Sequence, residues 1–151
     1  MKTETLSNLN LREASLEEIL QVHQLIPEFP EKVSLDFYQE RLANQVHLAL
    51  VAEANGELVG FKVGYQSGRT QTFYSWMGGV IPEFRRFGIA GALAVVQESW
   101  AKEKGFKDVF FKTRNRFPSM ISFGIKRGFK IMKVIPKGVV EDYRVVMMKN
   151  L

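Results

Sequence analysis

The sequence predicts a mixed α/β (α+β) fold: a central mixed β-sheet flanked by helices, in the order βααβββαβαββ. Three observations carry that prediction. Strand-like and helix-like apolar patterns alternate along the 151 residues. Two β-like runs flank Asn55-Gly56, a strong hairpin signal because both residue types tolerate the positive φ of a type I′ turn. One long helical stretch, Gly88 to Lys104, stands between strand-like segments. Alternation of this kind builds layered α/β domains. The length suits one domain over residues 1–151, with about 70% of the unfolded surface buried at roughly this size.

Each element follows from local pattern. Leu9 to Glu13 alternates as a short first strand. SLEEILQVHQLI opens a helix: Glu18 stands three residues after Ser15, the capping-box spacing, and Ile19, Val22 and Ile26 keep helical spacing. PEFPEK breaks it. SLDFYQERLAN is a second short helix with Leu35, Tyr38 and Leu42 on one side. The Asn55-Gly56 hairpin follows, then an aromatic-rich strand, TQTFYSWMGGVI, ending near Gly78-Gly79. Strict alternation puts Tyr74 and Trp76 on one face of that strand with Gly78 and Val80, and Phe73, Ser75 and Met77 on the other. In the long helix Ile89, Ala92, Leu93, Val96 and Trp100 define the inner face, and Gln97, Glu98, Lys102 and Glu103 the outer one. Gly105 is a natural C-cap. DVFFKT is a strand, PSMISFGIKRG a short helix with proline at its start and Gly128 at its end, and FKIMKVI and YRVVMMK are the last strands.

Composition removes several function classes. The chain has no cysteine, which excludes disulfides, thiolate metal sites and cysteine nucleophiles. His23 and His47 lie far apart without HExxH-type spacing, so no metal is expected. No apolar run approaches the ~20 residues that span a bilayer. The first residues lack the apolar core of a signal peptide, and a cytoplasmic protein without membrane contact is expected. The net charge of +5 favours an acidic partner: nucleic acid, an anionic surface or a polyanionic small molecule.

The charge has one informative address. In GGVIPEFRRFGIAGAL, Gly78 to Leu93, a strand ends, two arginines follow, and a helix opens. A helix start leaves backbone N–H groups without partners, which Ser, Thr, Asp or Asn usually caps. Here stand Phe87, Gly88, Ile89, Ala90 and Gly91, none able to cap. Small residues let a ligand approach the backbone, and the helix dipole with free amides favours an anion. Arg85 and Arg86 add donor forks suited to phosphate. The pattern is neither a P-loop nor a GxGxxG fingerprint.

Val80, Pro82, Arg85, Gly88 and Ala90 stand in the register V-x-P-x-x-R/Q-x-x-G-x-G/A. This resembles the acetyl-CoA signature of the GNAT superfamily of N-acetyltransferases, whose element order is the one derived above. Gly128-Phe129 resembles the G-F that closes that family's penultimate helix. The resemblance implies acetyl-CoA as co-substrate and no metal. It implies that backbone at Gly78, Gly79 and Val80 hydrogen-bonds the pantetheine arm. Arg85, Arg86, Phe87, Gly88, Ile89, Ala90 and Gly91 would wrap the pyrophosphate, and Asn115 would lie near the pantetheine. One departure is visible. Many members place a tyrosine four residues before the G of G-F as general acid; here that residue is Gly124, and Met120 and Phe123 are left to pack on the CoA arm.

The implied reaction is direct acetyl transfer to the primary amine of a small-molecule or peptide acceptor. Tyr74 is the candidate polar group near the thioester. Glu53, Asp36 and Glu40 are candidates to attract a cationic acceptor, FYSW to line its pocket, and the basic runs KTRNRF and KRGFK to meet the 3′-phosphate. A non-catalytic CoA-binding sensor is the alternative that Gly124 keeps open. A basic nucleic-acid-binding module is disfavoured, because the charge is dispersed among 16 acidic residues and no recognition-helix pattern appears. The acceptor and oligomeric state stay open; the terminal strands are candidates for a homodimer contact.

Overall fold

Capping and turn signals set most of the chain's punctuation. A computed structural model describes residues 6, 8–29 and 31–151; Pro30 of the PEFPEK run and residues 1–5 and 7 of the N-terminal stretch lie outside them. The elements are β1 (Asn10–Glu13), α1 (Leu16–His23), α2 (Leu35–Leu42), β2 (His47–Ala54), β3 (Glu57–Gln66), β4 (Thr72–Val80), α3 (Ile89–Glu103), β5 (Asp108–Arg114), α4 (Pro118–Lys126), β6 (Lys130–Ile135) and β7 (Arg144–Asn150). Short 3₁₀ turns occupy Pro82–Phe84 and Val140–Asp142. This is the expected order. Asn55 and Gly56 take φ of +54° and +82°, as the primed hairpin turn requires.

The seven strands form one sheet in the order β1-β2-β3-β4-β5-β7-β6. All neighbours are antiparallel except β4 and β5. Two apolar layers cover its faces. On one side Leu48, Leu50, Phe73, Val80 and Phe111 pack with Ile89 and Leu93 of α3. On the other Val51, Phe61 and Val63 pack with Ile19 and Val22 of α1 and Tyr38 and Leu42 of α2. Burial on both faces explains why β2 and β3 read as near-continuous apolar runs.

Two face assignments made from periodicity are corrected. In β4, Met77 pairs with Val63 but Ser75 pairs with Gly64, so Trp76 is the extra residue of a β-bulge. A bulge shifts the alternation by one. Tyr74, Trp76 and Met77 therefore all pack on the α1–α2 side. Val80 joins Phe73 on the α3 side, and a β-carbon on Gly78 would meet the Lys62 side chain there at 3.5 Å. In α3 the buried set is Ile89, Leu93, Ala94, Gln97 and Ala101. Gln97 is only 1% exposed and Glu98 is largely covered, so neither lies on the outer face. Glu98 meets Arg127 and Lys149 beneath the helix, and Gln97 lines the crevice described below.

Arg12 joins β1, β2 and α1. Its Nε donates to Glu53 Oε1 at 2.7 Å, and its Nη1 donates to Glu18 Oε1 at 3.1 Å. Glu18 also completes the capping box: Ser15 Oγ accepts from the Glu18 N–H at 3.2 Å, and the Glu18 carboxylate accepts from the Ser15 N–H at 3.1 Å. The bonds from Arg12, then that from Ser15 N–H, hold the Glu18 carboxyl down at about 2. A depressed folded-state pKa gives stability that is present above the ordinary value of 4.5 and lost as pH falls toward 2. In urea titrations Glu18→Gln should be less stable than the parent at neutral pH, and the gap should close across that acid window. A gap independent of pH would show that the charge contributes nothing.

Candidate active site

The site begins where β4 and β5 part. They pair only at Thr72–Asp108, Phe73–Val109 and Tyr74–Phe110. β4 then continues to Val80 and β5 to Arg114. Past the last pair, the β4 edge facing β5 is left without a strand partner, a row of backbone groups able to accept another extended chain.

β4 leads through the Pro82–Phe84 turn to α3. Arg86 and Gly88 take φ of +71° and +77°. Gly88 is the N-cap, with no side-chain cap bond. The first helical bond is Ala92 N–H to Gly88 C=O, 3.0 Å. Among the described residues the N–H groups of Arg86, Phe87, Gly88, Ile89, Ala90 and Gly91 meet no protein acceptor. A β-carbon at Gly88 or Gly91 would touch nothing within 4 Å, so the space over these amides is open. The region can hold an anion on backbone donors. Its arginines divide the work differently from the expectation. Arg85 turns away: Nη1 and Nη2 donate to the Glu28 carboxylate at 3.0 and 2.7 Å, and Nε donates to Val80 C=O at 2.9 Å. Arg86 stays exposed beside the amides.

Tyr74 stands at the last β4–β5 pair, on the α1–α2 face. Its ring stacks on Phe110 at 4.5 Å, and Lys112 Nζ lies over it at 5.4 Å. Burial raises its pKa, so the phenol stays protonated at neutral pH and is suited to donate. The FYSW run does not act as one cluster. Tyr74 and Trp76 join Tyr65 and Phe37, with Arg41 over the Trp76 ring at 4.7 Å. Phe73 packs on the opposite side against Trp100 and Phe106. Asn115, just past β5, donates from Nδ2 to Val140 C=O at 2.9 Å and holds the β6–β7 connection.

Several candidate charges are already engaged. Glu53 pairs with Arg12. Arg114 and Arg116 reach Asp142 at 3.8 and 2.6 Å, and Arg127 reaches Glu98 at 2.9 Å. The two basic runs thus spend three arginines internally. Among the described residues no cluster of three or more His, Asp or Glu side chains is arranged to hold a metal, and no helix is long and apolar enough to cross a membrane.

Sequence reasoning did not single out Lys62, Gln97 or Glu98 as functional groups on the α3–α4 side of the parting strands. A crevice of about 10 Å³ is lined by Ser75 of β4, Phe111 of β5, Met120 and Phe123 of α4, Gln97 of α3 and Lys62 of β3; Glu98 and Arg127 complete its rim. Lys62 is half-buried. Burial lowers its pKa to about 8, with Glu98 raising it and Arg127 lowering it further. A lysine inside an otherwise apolar β3 run was the available signal.

Gly124 has a structural reason. A β-carbon there would stand 2.8 Å from Phe111 Cζ and 3.0 Å from Met147 Cε. α4 lies against the sheet at this point, so a side chain would be aimed into the core.

A family model described as Acetyltransferase (GNAT) family matches residues 14–129. The fold is similar to that of Ard1 from Thermoplasma volcanium, at 24% identity over 95% of this chain and 97% of that one, TM-score 0.79. It is also similar to the ribosomal-protein-S18-alanine N-acetyltransferase from Escherichia coli, at 13% identity over 95% and 94%, TM-score 0.80. A GNAT family acetyltransferase from Elizabethkingia anophelis with acetyl-CoA bound matches at 19% identity over 95% and 99%, TM-score 0.76. At these identities the structural likeness is one of fold.

Overpacking a tight core costs about 1–3 kcal/mol, so Gly124→Ala should lose that much stability by urea denaturation. A neutral result would mean that α4 can lift and that position 124 is open to a larger side chain.

Proposed function

Because the chain belongs to the acetyltransferase (GNAT) family, we propose that it is an acetyl-CoA-dependent N-acetyltransferase that moves the acetyl group directly to a primary amine of a small molecule or peptide. The observation that carries this reading is the row of six unpartnered amides from Arg86 to Gly91, set beside a strand edge that has lost its neighbour. The amides would hold the pyrophosphate, with Arg86 as the adjacent free charge. The backbone of Gly78, Gly79 and Val80 would pair with the pantetheine arm as a further strand would, and Asn115 would lie near that arm. When bound, the co-substrate supplies an activated thioester.

The chain's own residues supply position and polarity. Backbone N–H groups of β4 polarise the thioester oxygen. Tyr74, protonated at neutral pH, donates a hydrogen bond on the α1–α2 face, where Tyr65, Phe37 and Trp76 form an aromatic wall for an acceptor entering from that side. With no cysteine in the chain, direct transfer needs no thioester on the protein. We place the protein in the cytoplasm as a single domain over residues 1–151. The second reading, a CoA-binding sensor without turnover, is favoured by one observation: position 124 cannot carry the acid many family members use.

Calorimetric titration with acetyl-CoA tests the donor half. Binding is expected, and no heat at millimolar ligand would sink this reading. Gly88→Asp places a carboxylate over the amides and an L side chain at φ +77°; it should weaken binding at least about tenfold, since that carboxylate takes up the amides itself and repels the ligand's phosphates. Thiol release with a panel of primary amines separates the two readings: turnover above hydrolysis identifies the enzyme, and its absence across amines and peptides identifies the sensor.

A further inference from the structure

The crevice on the α3–α4 side of the parting strands is lined by donors that have no acceptors. Gln97 is 1% exposed, and its Nε2 meets no partner. Arg127 gives a second N–H to Glu98, but its Nε is buried and unpartnered. Lys62 Nζ makes no hydrogen bond or ion pair among the described residues, although Glu98 lies near enough to act on its charge. Unsatisfied buried donors are costly. Two of them around one space, with the half-buried Lys62 ammonium beside them, point to an electron-rich atom as its occupant. At about 10 Å³ the space suits one water-sized group, which fits a sulfur or an oxygen and not a whole acceptor.

Its position matters as much as its lining. Ser75 and Phe111 are the residues immediately after the last β4–β5 pair, so the crevice lies at the fork itself. Lys62 pairs in register with Gly78, whose missing side chain leaves the lysine stem room to lie along the sheet. The charged groups facing Lys62 are Glu98 of α3, Arg127 at the end of α4 and, bound to Glu98 at 2.5 Å, Lys149 of β7. Glu98 is already shared between Arg127 and Lys149, so Lys62 is not locked in an ion pair.

We propose that Lys62 is a catalytic acid that protonates the departing CoA thiolate, doing from β3 what position 124 on α4 cannot do. This rests on the acetyl-transfer reading above. The acceptor nitrogen forms a bond to the thioester carbon, the C–S bond breaks, and its electron pair stays on sulfur. Lys62 Nζ gives that sulfur one proton and becomes a neutral amine. The acceptor nitrogen loses one proton to solvent, and Lys62 regains one from solvent. An acid that titrates near neutrality suits this transfer, and the protonated form, present below about 8, is the active one.

The test uses CoA itself. The ultraviolet absorbance of the thiolate reports the acidity of the bound thiol. In the parent protein that thiol should be about tenfold more acidic than in Lys62→Met, because the ammonium stabilises the anion beside it. Lys62→Arg keeps the charge and should keep the acidic thiol, yet lose turnover, since guanidinium does not release its proton. With an accepted amine, parent turnover should fall as pH rises through about 8, and Lys62→Met should lack that descending limb. Equal thiol acidity in parent and Lys62→Met, with CoA bound by both, overturns the role of Lys62 and leaves the acetyl-transfer reading standing. Failure of the parent to bind CoA overturns both. Transfer of acetyl to Lys62 in place of the acceptor, seen by mass spectrometry, would make Nζ a nucleophile and also overturn the assignment.

Discussion

The short β4–β5 ladder is the constraint on which the rest of the molecule depends. Parallel strands usually hold each other along their length, with crossover helices on the faces. Here only three pairs hold before the strands diverge. The sheet stays whole because each strand is secured on its other edge: β4 along β3 from Gln66 back to Gly60, and β5 along the full length of β7. The fork is thus a built opening in an otherwise continuous sheet. The Trp76 bulge belongs to the same design. It turns two consecutive side chains, Trp76 and Met77, to the α1–α2 face and returns Gly78 and Val80 to the other, so a bare stretch of backbone faces the opening.

The fork gives the two faces of the sheet different chemistry. On the α1–α2 side, aromatic rings and a protonated phenol surround the last pair. On the α3–α4 side stand ammonium, guanidinium and amide groups, with one shared carboxylate. A group lodged between the strands would meet apolar walls on one side and hydrogen-bond donors on the other. Low-polarity surroundings strengthen such donors toward developing negative charge.

The order of elements was legible because its signals are local. The Ser15–Glu18 box, Asn55-Gly56 and Gly105 each act over a few residues, and each sits where the pattern placed it. The unpartnered start of α3 was legible for the same reason. Faces were less so. The glycines of FYSWMGG suggest a bulge but do not place it at Trp76, and one inserted residue inverts everything after it. Gln97 and Glu98 read as outer because they are polar; Glu98 lies inward because Arg127 and Lys149 meet it from other elements, and Gln97 lines the crevice beside it. Gly124 was visible as a departure, but its cause, the closeness of Phe111 and Met147, comes from strands that pack beside it only after folding. Arg85 looked like a ligand for phosphate. Its partner Glu28 is 57 residues away, a distance that no local pattern spans.

That pairing has a mechanical consequence. Arg85 grips Val80 at the end of β4 and Glu28 in the connection between α1 and α2 at once. Both side chains remain substantially exposed, and exposed pairs contribute under about 1 kcal/mol. The contact is therefore a latch that thermal motion opens readily, joining the anion-binding turn to the segment beside the aromatic wall. A ligand seated on the turn therefore bears on the position of Glu28 through one weak contact, and the two halves of the site are joined without being locked together.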